Sequence, residues 1–329
     1  MSFLSLQQRL LSMEKQTLLT LVGTVFLFLL FFFKNPSFIW TDTIFLLEIL
    51  VLTLFTRTVS IRYGFSLFGQ GVFLSAIFSM IIWWVLGILN LHDTVGGESL
   101  MAIFEELLKF APVALAAFFL ARNRKIHLNL SDFLFLSVMC AIGFSLFEKT
   151  FWQGVSFPFT YGPHIGNWYF FSDALGIYVS GEKFGYIGHA AATGLIGMGV
   201  GLGLLFRTQK RAWWLLFPLF AFLWVTMEHI LSNLYYLNGT DTLLALGGGM
   251  LTPWIFLGFL IAVLLLDRRH LRQFLASHPE EQKIFQKNRQ LFLDMIKTKK
   301  WHVNTIHSFF KTLRATHSLA WDKAINKQN

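Results

Sequence analysis

The chain has one cysteine, Cys140, in 329 residues, and only seven prolines. A single cysteine excludes an intrachain disulfide and any cysteine-based zinc site, and it leaves the redox compartment open. Charge is scarce as well. Only 14% of residues are Asp, Glu, Lys or Arg, against 55% hydrophobic, which argues against an ordinary soluble domain. There is no internal repeat and no low-complexity linker, so a solenoid or a bead-and-string architecture is excluded. Short alternating apolar segments, the mark of a membrane β-barrel, are missing too.

What is present is long apolar runs and thirty-eight phenylalanines. The runs measure about 17–25 residues, the length that spans a bilayer as a helix. The expected fold is all-α: a polytopic bundle of about eight transmembrane helices with a basic amphipathic C-terminal tail. The spans read as Thr17–Phe33, Phe38–Phe55, Phe65–Leu89, Leu100–Leu120, Asp132–Phe151, Phe184–Phe206, Ala212–Tyr236 and Leu243–Leu266. The first is too long for a signal-peptide core and lacks a small-residue cleavage pattern, so it reads as a mature span. Three segments follow: residues 1–99 with three spans, 100–266 with five, and 267–329 as the tail.

Basic clusters lie before span one and after spans two, four, six and eight: Arg9 and Lys15; Arg57 and Arg62; Arg122, Arg124 and Lys125; Arg207, Lys210 and Arg211; Arg268 and Arg269. The alternate loops hold few cations. The positive-inside rule then sets both termini in the cytoplasm. On the opposite side, residues 152–183 are rich in Trp, Tyr, Gly and Pro, and read either as a re-entrant cover or as an exposed loop. The tail carries most of the net charge of +9. Its apolar residues recur at helical spacing, which suits a basic helix on an anionic leaflet. No nucleic-acid motif is present, and no nucleic-acid partner is expected.

Span four contains Glu105-Glu106-x-x-Lys109. A charged side chain in hydrocarbon costs on the order of 2.5–3.5 kcal/mol on insertion scales, so three within one turn need partners or a task. The assigned topology carries Glu105, Glu106, Glu148, His189 and His229 on four different helices to a similar depth. That depth is roughly 8 Å below the non-cytoplasmic ends, at ~1.5 Å per residue. Lys109 stands i,i+4 from Glu105 and can pair with a carboxylate of that helix. Asn233 stands i,i+4 from His229, and Phe144 one turn from Glu148. Glu48 and Asp42 of span two read as packing or surface residues, and Glu228 as a neighbour set behind the site. Singly, each of these residues fits a structural role: an ion pair, a hydrogen-bonded core histidine, a surface glutamate. Together at one depth they point to a site.

Four motifs in order, Glu105-Glu106-x-x-Lys109, Phe144-x-x-x-Glu148, Gly188-His189-Ala190 and His229-x-x-x-Asn233, resemble the PrsW family of intramembrane proteases, in the wider group with CAAX prenyl proteases and bacteriocin-processing enzymes. Lys109 and Glu148 favour the PrsW branch, because CAAX proteases carry arginine and histidine at the corresponding motif positions. The resemblance spans residues 105–233. It implies an intramembrane endopeptidase of a bacterial plasma membrane, acting on a membrane-protein substrate such as an anti-sigma factor.

Peptide hydrolysis needs an activated water and a stabilised oxyanion. The expected roles are Glu105 and Glu148 activating water, with Glu106 supporting and held by Lys109. His229 and Asn233 are the expected oxyanion donors, and His189 is a second donor, a proton shuttle or a metal ligand. A metal-dependent version, with zinc on Glu148, His189 and His229, stands beside the metal-free one; no His-Glu-x-x-His helix accompanies it. The alternative reading is a proton-coupled transporter using the same Glu/His cluster, although no inverted repeat supports it. A non-catalytic scaffold with a recruiting tail would leave the shared depth unexplained.

Overall fold

In a computed structural model, the residues described are 22, 26, 29, 36–124, 127–151, 187–208, 214–238, 251–299 and 301–326. They are helical, with no strand among them. In chain order the helices are α1 (Pro36–Thr53), α2 (Ile61–Ile88), α3 (Val95–Arg124), α4 (Leu130–Phe151), α5 (His189–Thr208), α6 (Leu216–Asn238), α7 (Thr252–Ala276), α8 (Pro279–Thr298) and α9 (Val303–Asn326). Most of the expected first span and the 152–183 cover lie outside the described residues, as does the start of the expected eighth.

Among the described residues, four helices contain segments long and apolar enough to cross a membrane: Ile61–Ile88, Leu130–Glu148, His189–Arg207 and Leu216–Tyr235. The segments of α4 and α5 are buried along nearly their whole length, those of α2 and α6 along about a third. The outward faces of α2 and α6 are apolar, with Phe73, Ile81, Trp84, Leu219 and Leu223 exposed. Such faces suit hydrocarbon rather than water. In α3, Glu105, Glu106 and Lys109 interrupt an otherwise apolar stretch.

The centre is held by backbone-to-backbone approach. At Gly71 a Cβ would lie 1.9 Å from the Cys140 carbonyl oxygen, and at Gly143 one would lie 2.1 Å from that of Phe68. Glycine therefore lets α2 and α4 touch, as small residues do between membrane helices. A π-turn, Gly71–Ser75, sits at this crossing. Glycines of α5 work on both sides: Gly197 faces Ser137 and Phe133 of α4, and Gly199 faces Phe217 and Ala221 of α6. That wedges α5 between its neighbours.

Pro112 lies inside α3. It has no N–H for the carbonyl four residues earlier. That carbonyl, Leu108 O, instead accepts from Ser75 Oγ of α2 at 2.8 Å, a side-chain repair of the kind membrane helices use. One turn further along α2, Ser79 reaches Glu105. The π-turn and the proline thus aim α2 at the carboxylate-bearing part of α3, although α2 lies in the segment set apart on sequence.

At the opposite end of α4, Asn129 and Asp132 cap each other's backbone N–H at 2.8 and 3.1 Å, the reciprocal arrangement of a capping box. Asp132 also accepts from the Thr58 and Val59 N–H groups, at 2.7 and 3.0 Å. Asp267 of α7 accepts from Ser131 N and Oγ at 2.8 and 2.6 Å. Carboxylates at a helix N-terminus meet its orphan N–H groups and its dipole, and here they tie three segments together.

The tail departs from the single lipid-facing helix expected. It folds as α8 and α9, and the apolar face of α9 is buried against protein: Phe309, Leu313 and Trp321 are nearly inaccessible. Trp321 meets His270 of α7 with ring centroids 5.5 Å apart, and Phe310 meets Phe55 at 5.9 Å. Periodicity marks an apolar face, but not whether lipid or protein covers it. Ile284, Leu291 and Ile296 of α8 stay exposed.

Two predictions follow from this packing. Gly143→Ala should lower the unfolding free energy by about 1–3 kcal/mol, the range for overpacking, because the contact is carbonyl oxygen rather than a movable side chain. Gly96→Ala, with nothing within 4 Å of its Cβ, should not; unfolding in mixed micelles measures both. The second concerns Asp322, whose carboxyl burial raises to about 7 against a hydrogen bond from the His127 backbone. A raised folded pKa gives stability that is complete below the unfolded value and lost as pH rises through about 7. His317, lowered to about 4 by burial, acts oppositely, but only below its ordinary value near 6.5. Hydrogen-exchange protection of 303–326, corrected for intrinsic rates, should fall between pH 6.5 and 8, and Asp322→Asn should reduce that fall.

Candidate active site

Lys109 is a fully buried cation, with no exposed surface. Its Nζ lies 2.5 Å from Glu106 Oε1, an i,i+3 contact that holds Glu106 as the expected roles have it. The same Nζ lies 2.7 Å from His189 Nδ1 and 5.1 Å from the centroid of the Phe144 ring. An ammonium has only hydrogens to offer, so Nδ1 of His189 is an acceptor and its proton sits on Nε2. That nitrogen lies 2.7 Å from Glu148 Oε2 and donates to it. Phe144 packs edge-on against the His189 ring at 5.1 Å, closing one side of this chain of contacts.

His229 shows the opposite tautomer. In its neutral form the His229 ring, donating from Nδ1 to Glu106 Oε1 at 2.9 Å, is bare at Nε2, 3.7 Å from Glu105 Oε2. At that separation the contact is too long for a direct hydrogen bond and within reach of a bridging water. Glu105 Oε1 accepts from Ser79 Oγ at 3.2 Å. The two imidazoles meet edge to face, with centroids 5.5 Å apart.

All five ionisable residues expected at one depth are therefore brought into one network, with Lys109 and Phe144. Glu105, Glu106, His189 and His229 are buried, whereas the Glu148 side chain is 27% exposed, so the cluster opens on its Glu148 side. Asn233 is half-buried and lies near Glu98, in the first turn of α3. Glu228 stands behind, accepting from Thr252 Oγ1 at 2.7 Å, which in turn accepts from Trp224 Nε1.

One placement corrects the sequence reading. The helix of the expected sixth span, α5, begins at His189 rather than at Phe184, so His189 is its first residue and not a residue set inside it. Gly188 adopts φ 93°, a conformation glycine takes without strain, and this breaks the helix just before it. Two site residues were missed. Ser79 is one hydroxyl in an apolar run outside the four motifs, without a pattern to mark it. Glu98 lies just outside the expected fourth span, Leu100–Leu120, though it stands seven residues from Glu105 on the same helix.

For a metal, the group that forms is Glu105, Glu148 and His189, whose ligand atoms lie within 4.8 Å of one another; His229 is not in it. Type and spacing suit a divalent cation. The Lys109 ammonium on Nδ1 works against one, since it adds a positive charge and holds the proton on the nitrogen that would bind. Searches against protein-family models, curated proteins and solved structures found no match.

Removing Lys109 should leave Glu106 as a buried charge short of its main partner. Lys109→Met is expected to cost about 3–5 kcal/mol, the range for breaking a buried pair, and Glu106→Gln in that background should recover much of it. Unfolding of the full chain in mixed micelles reads both.

Proposed function

We propose that the chain is an intramembrane endopeptidase, hydrolysing a peptide bond of a membrane-protein substrate near the non-cytoplasmic face. The observation that carries this reading is the convergence of Glu105, Glu148 and His189 within 4.8 Å, backed by a lysine that never reaches solvent. Two carboxylates, one backed by a histidine N–H and one beside an unprotonated histidine nitrogen, form an arrangement suited to moving a water's proton.

In the metal-free mechanism, Glu105 takes a proton from water, helped by His229 Nε2. The water oxygen bonds to the scissile carbonyl carbon, and the charge moves to the carbonyl oxygen. Asn233 Nδ2–H donates to that oxyanion. His229 joins as a donor only after accepting a proton, because Nδ1–H is committed to Glu106. Collapse breaks the C–N bond, and Glu105 returns the proton to the amine. Glu148, oriented by His189 Nε2–H, binds the attacking water from the other side. In a metal-assisted version, Glu105, Glu148 and His189 would hold a divalent ion, which would supply Lewis acidity. The His189 tautomer favours the first version.

The wider placement belongs to the same proposal: eight spans, both termini cytoplasmic, in a bacterial plasma membrane. The five basic clusters, which this span count puts on one side, support it. An anti-sigma factor is the kind of single-pass substrate the resemblance implies. On α8, exposed Ile284, Leu291 and Ile296 beside Lys283, Lys287 and Lys297 suit anionic headgroups.

The test is cleavage of a doubly tagged single-pass reporter co-expressed with the full chain. Glu105→Gln, Glu148→Gln and His189→Ala should each lower cleavage by about 10²-fold or more, and a chelator should leave the wild type active. Undiminished cleavage in all three variants overturns the protease reading; proton-driven flux in proteoliposomes would put the transporter in its place.

A further inference from the structure

A carboxylate that takes a proton from water must keep one oxygen for that water. Its two oxygens exchange by rotation about the last side-chain bond, whose profile is broad and two-fold. A donor on one oxygen removes the equivalence. For Glu105 that donor comes from α2. Ser79 Oγ lies 3.2 Å from Glu105 Oε1 and donates to it, while Oε2 faces His229 Nε2 at 3.7 Å. One oxygen therefore meets a hydroxyl proton, and the other meets a gap that a bridging water can fill.

Ser79 stands one turn after Ser75 on α2. The two hydroxyls reach α3 three residues apart, at Leu108 O and at Glu105. Ser75 answers the backbone carbonyl that Pro112 leaves without its donor, whereas Ser79 meets a side-chain carboxylate. Ser79 and Glu105 are both buried, at 5% and 7% exposure, so bulk water does not stand in for the hydroxyl.

We propose that Ser79 is a positioning residue: it holds Glu105 by Oε1, so that Oε2 is the oxygen that takes the proton of the attacking water. This rests on the endopeptidase reading. It gives a role to a hydroxyl outside the four motifs, on a helix of the N-terminal segment.

The experiment uses the full chain in lipid nanodiscs with a purified single-pass reporter. Ser79→Ala should lower kcat about tenfold at unchanged KM, the scale of one hydrogen bond to a charged group. Ser79→Thr and Ser79→Val have nearly the same shape, so any cost of the added carbons is common to both. The threonine variant should be about tenfold faster than the valine one, because it keeps the hydroxyl. In a Glu105→Gln background, Ser79→Ala should have no further effect, because the carboxylate it orients is gone. A readout without cleavage is the carbon-13 signal of the Glu105 carboxyl, assigned by its loss in Glu105→Gln. Its titration midpoint should move in Ser79→Ala and not in Ser79→Thr. Full activity of Ser79→Ala, a loss confined to KM, a threonine variant no faster than the valine one, or equal losses in the two backgrounds would overturn the proposal. Equal losses are what a purely structural contact between α2 and α3 gives. A wild type that cleaves nothing removes the endopeptidase reading itself, even where the midpoint moves; a wild type that cleaves beside an unmoved midpoint removes only the role of Ser79.

Discussion

A lysine ammonium with no exposed surface is the constraint around which this molecule is arranged. Taking such a charge out of water costs several kcal/mol even after relaxation, and the fold must answer it with close partners. Glu106 on the same helix is one and His189 on α5 is the other. The consequences spread from there. Glu106, committed to Lys109, also accepts from His229 and sets that tautomer. His189, its Nδ1 taken, presents Nε2–H to Glu148. Lys109 thereby separates the two carboxylates of the Glu105-Glu106 pair: one is held deep among donors, while the other is left beside Ser79 and an unprotonated imidazole nitrogen.

The helices meet this constraint because their backbones come close. Glycines at Gly71, Gly143, Gly197 and Gly199 remove the side chains that would keep α2, α4, α5 and α6 apart. Pro112 opens α3 at Leu108, and Ser75 closes the gap from α2. The same two helices then meet again through Ser79 and Glu105. A proline that would weaken an isolated helix is here answered by a hydroxyl from the neighbouring one.

Much of this was legible in the sequence, and the limits have physical causes. Apolar runs of bilayer length located the helices, and charge asymmetry carried five ionisable residues to one depth, where the structure joins them. The hold of Lys109 on Glu106 was legible too: i,i+3 and i,i+4 are both contacts on a helix, and Nζ lies 2.5 Å from Glu106 Oε1. The start of α5 was misplaced because hydropathy continues through Gly188 although the backbone does not. Ser79 carries no signal, since a single hydroxyl in an apolar run is common in membrane helices. The tail's apolar stripe was visible, but only packing tells that on α9 it meets protein.

The central claim is that Lys109 fixes the protonation pattern on which the proposed chemistry depends. Nitrogen-15 NMR of imidazole-labelled chain in lipid, with His189 assigned by its loss in His189→Gln, tests this directly. The account predicts a neutral ring protonated at Nε2 and bare at Nδ1, changing its pattern when Lys109 is replaced. A ring protonated at Nδ1, or an imidazolium at neutral pH, would contradict it.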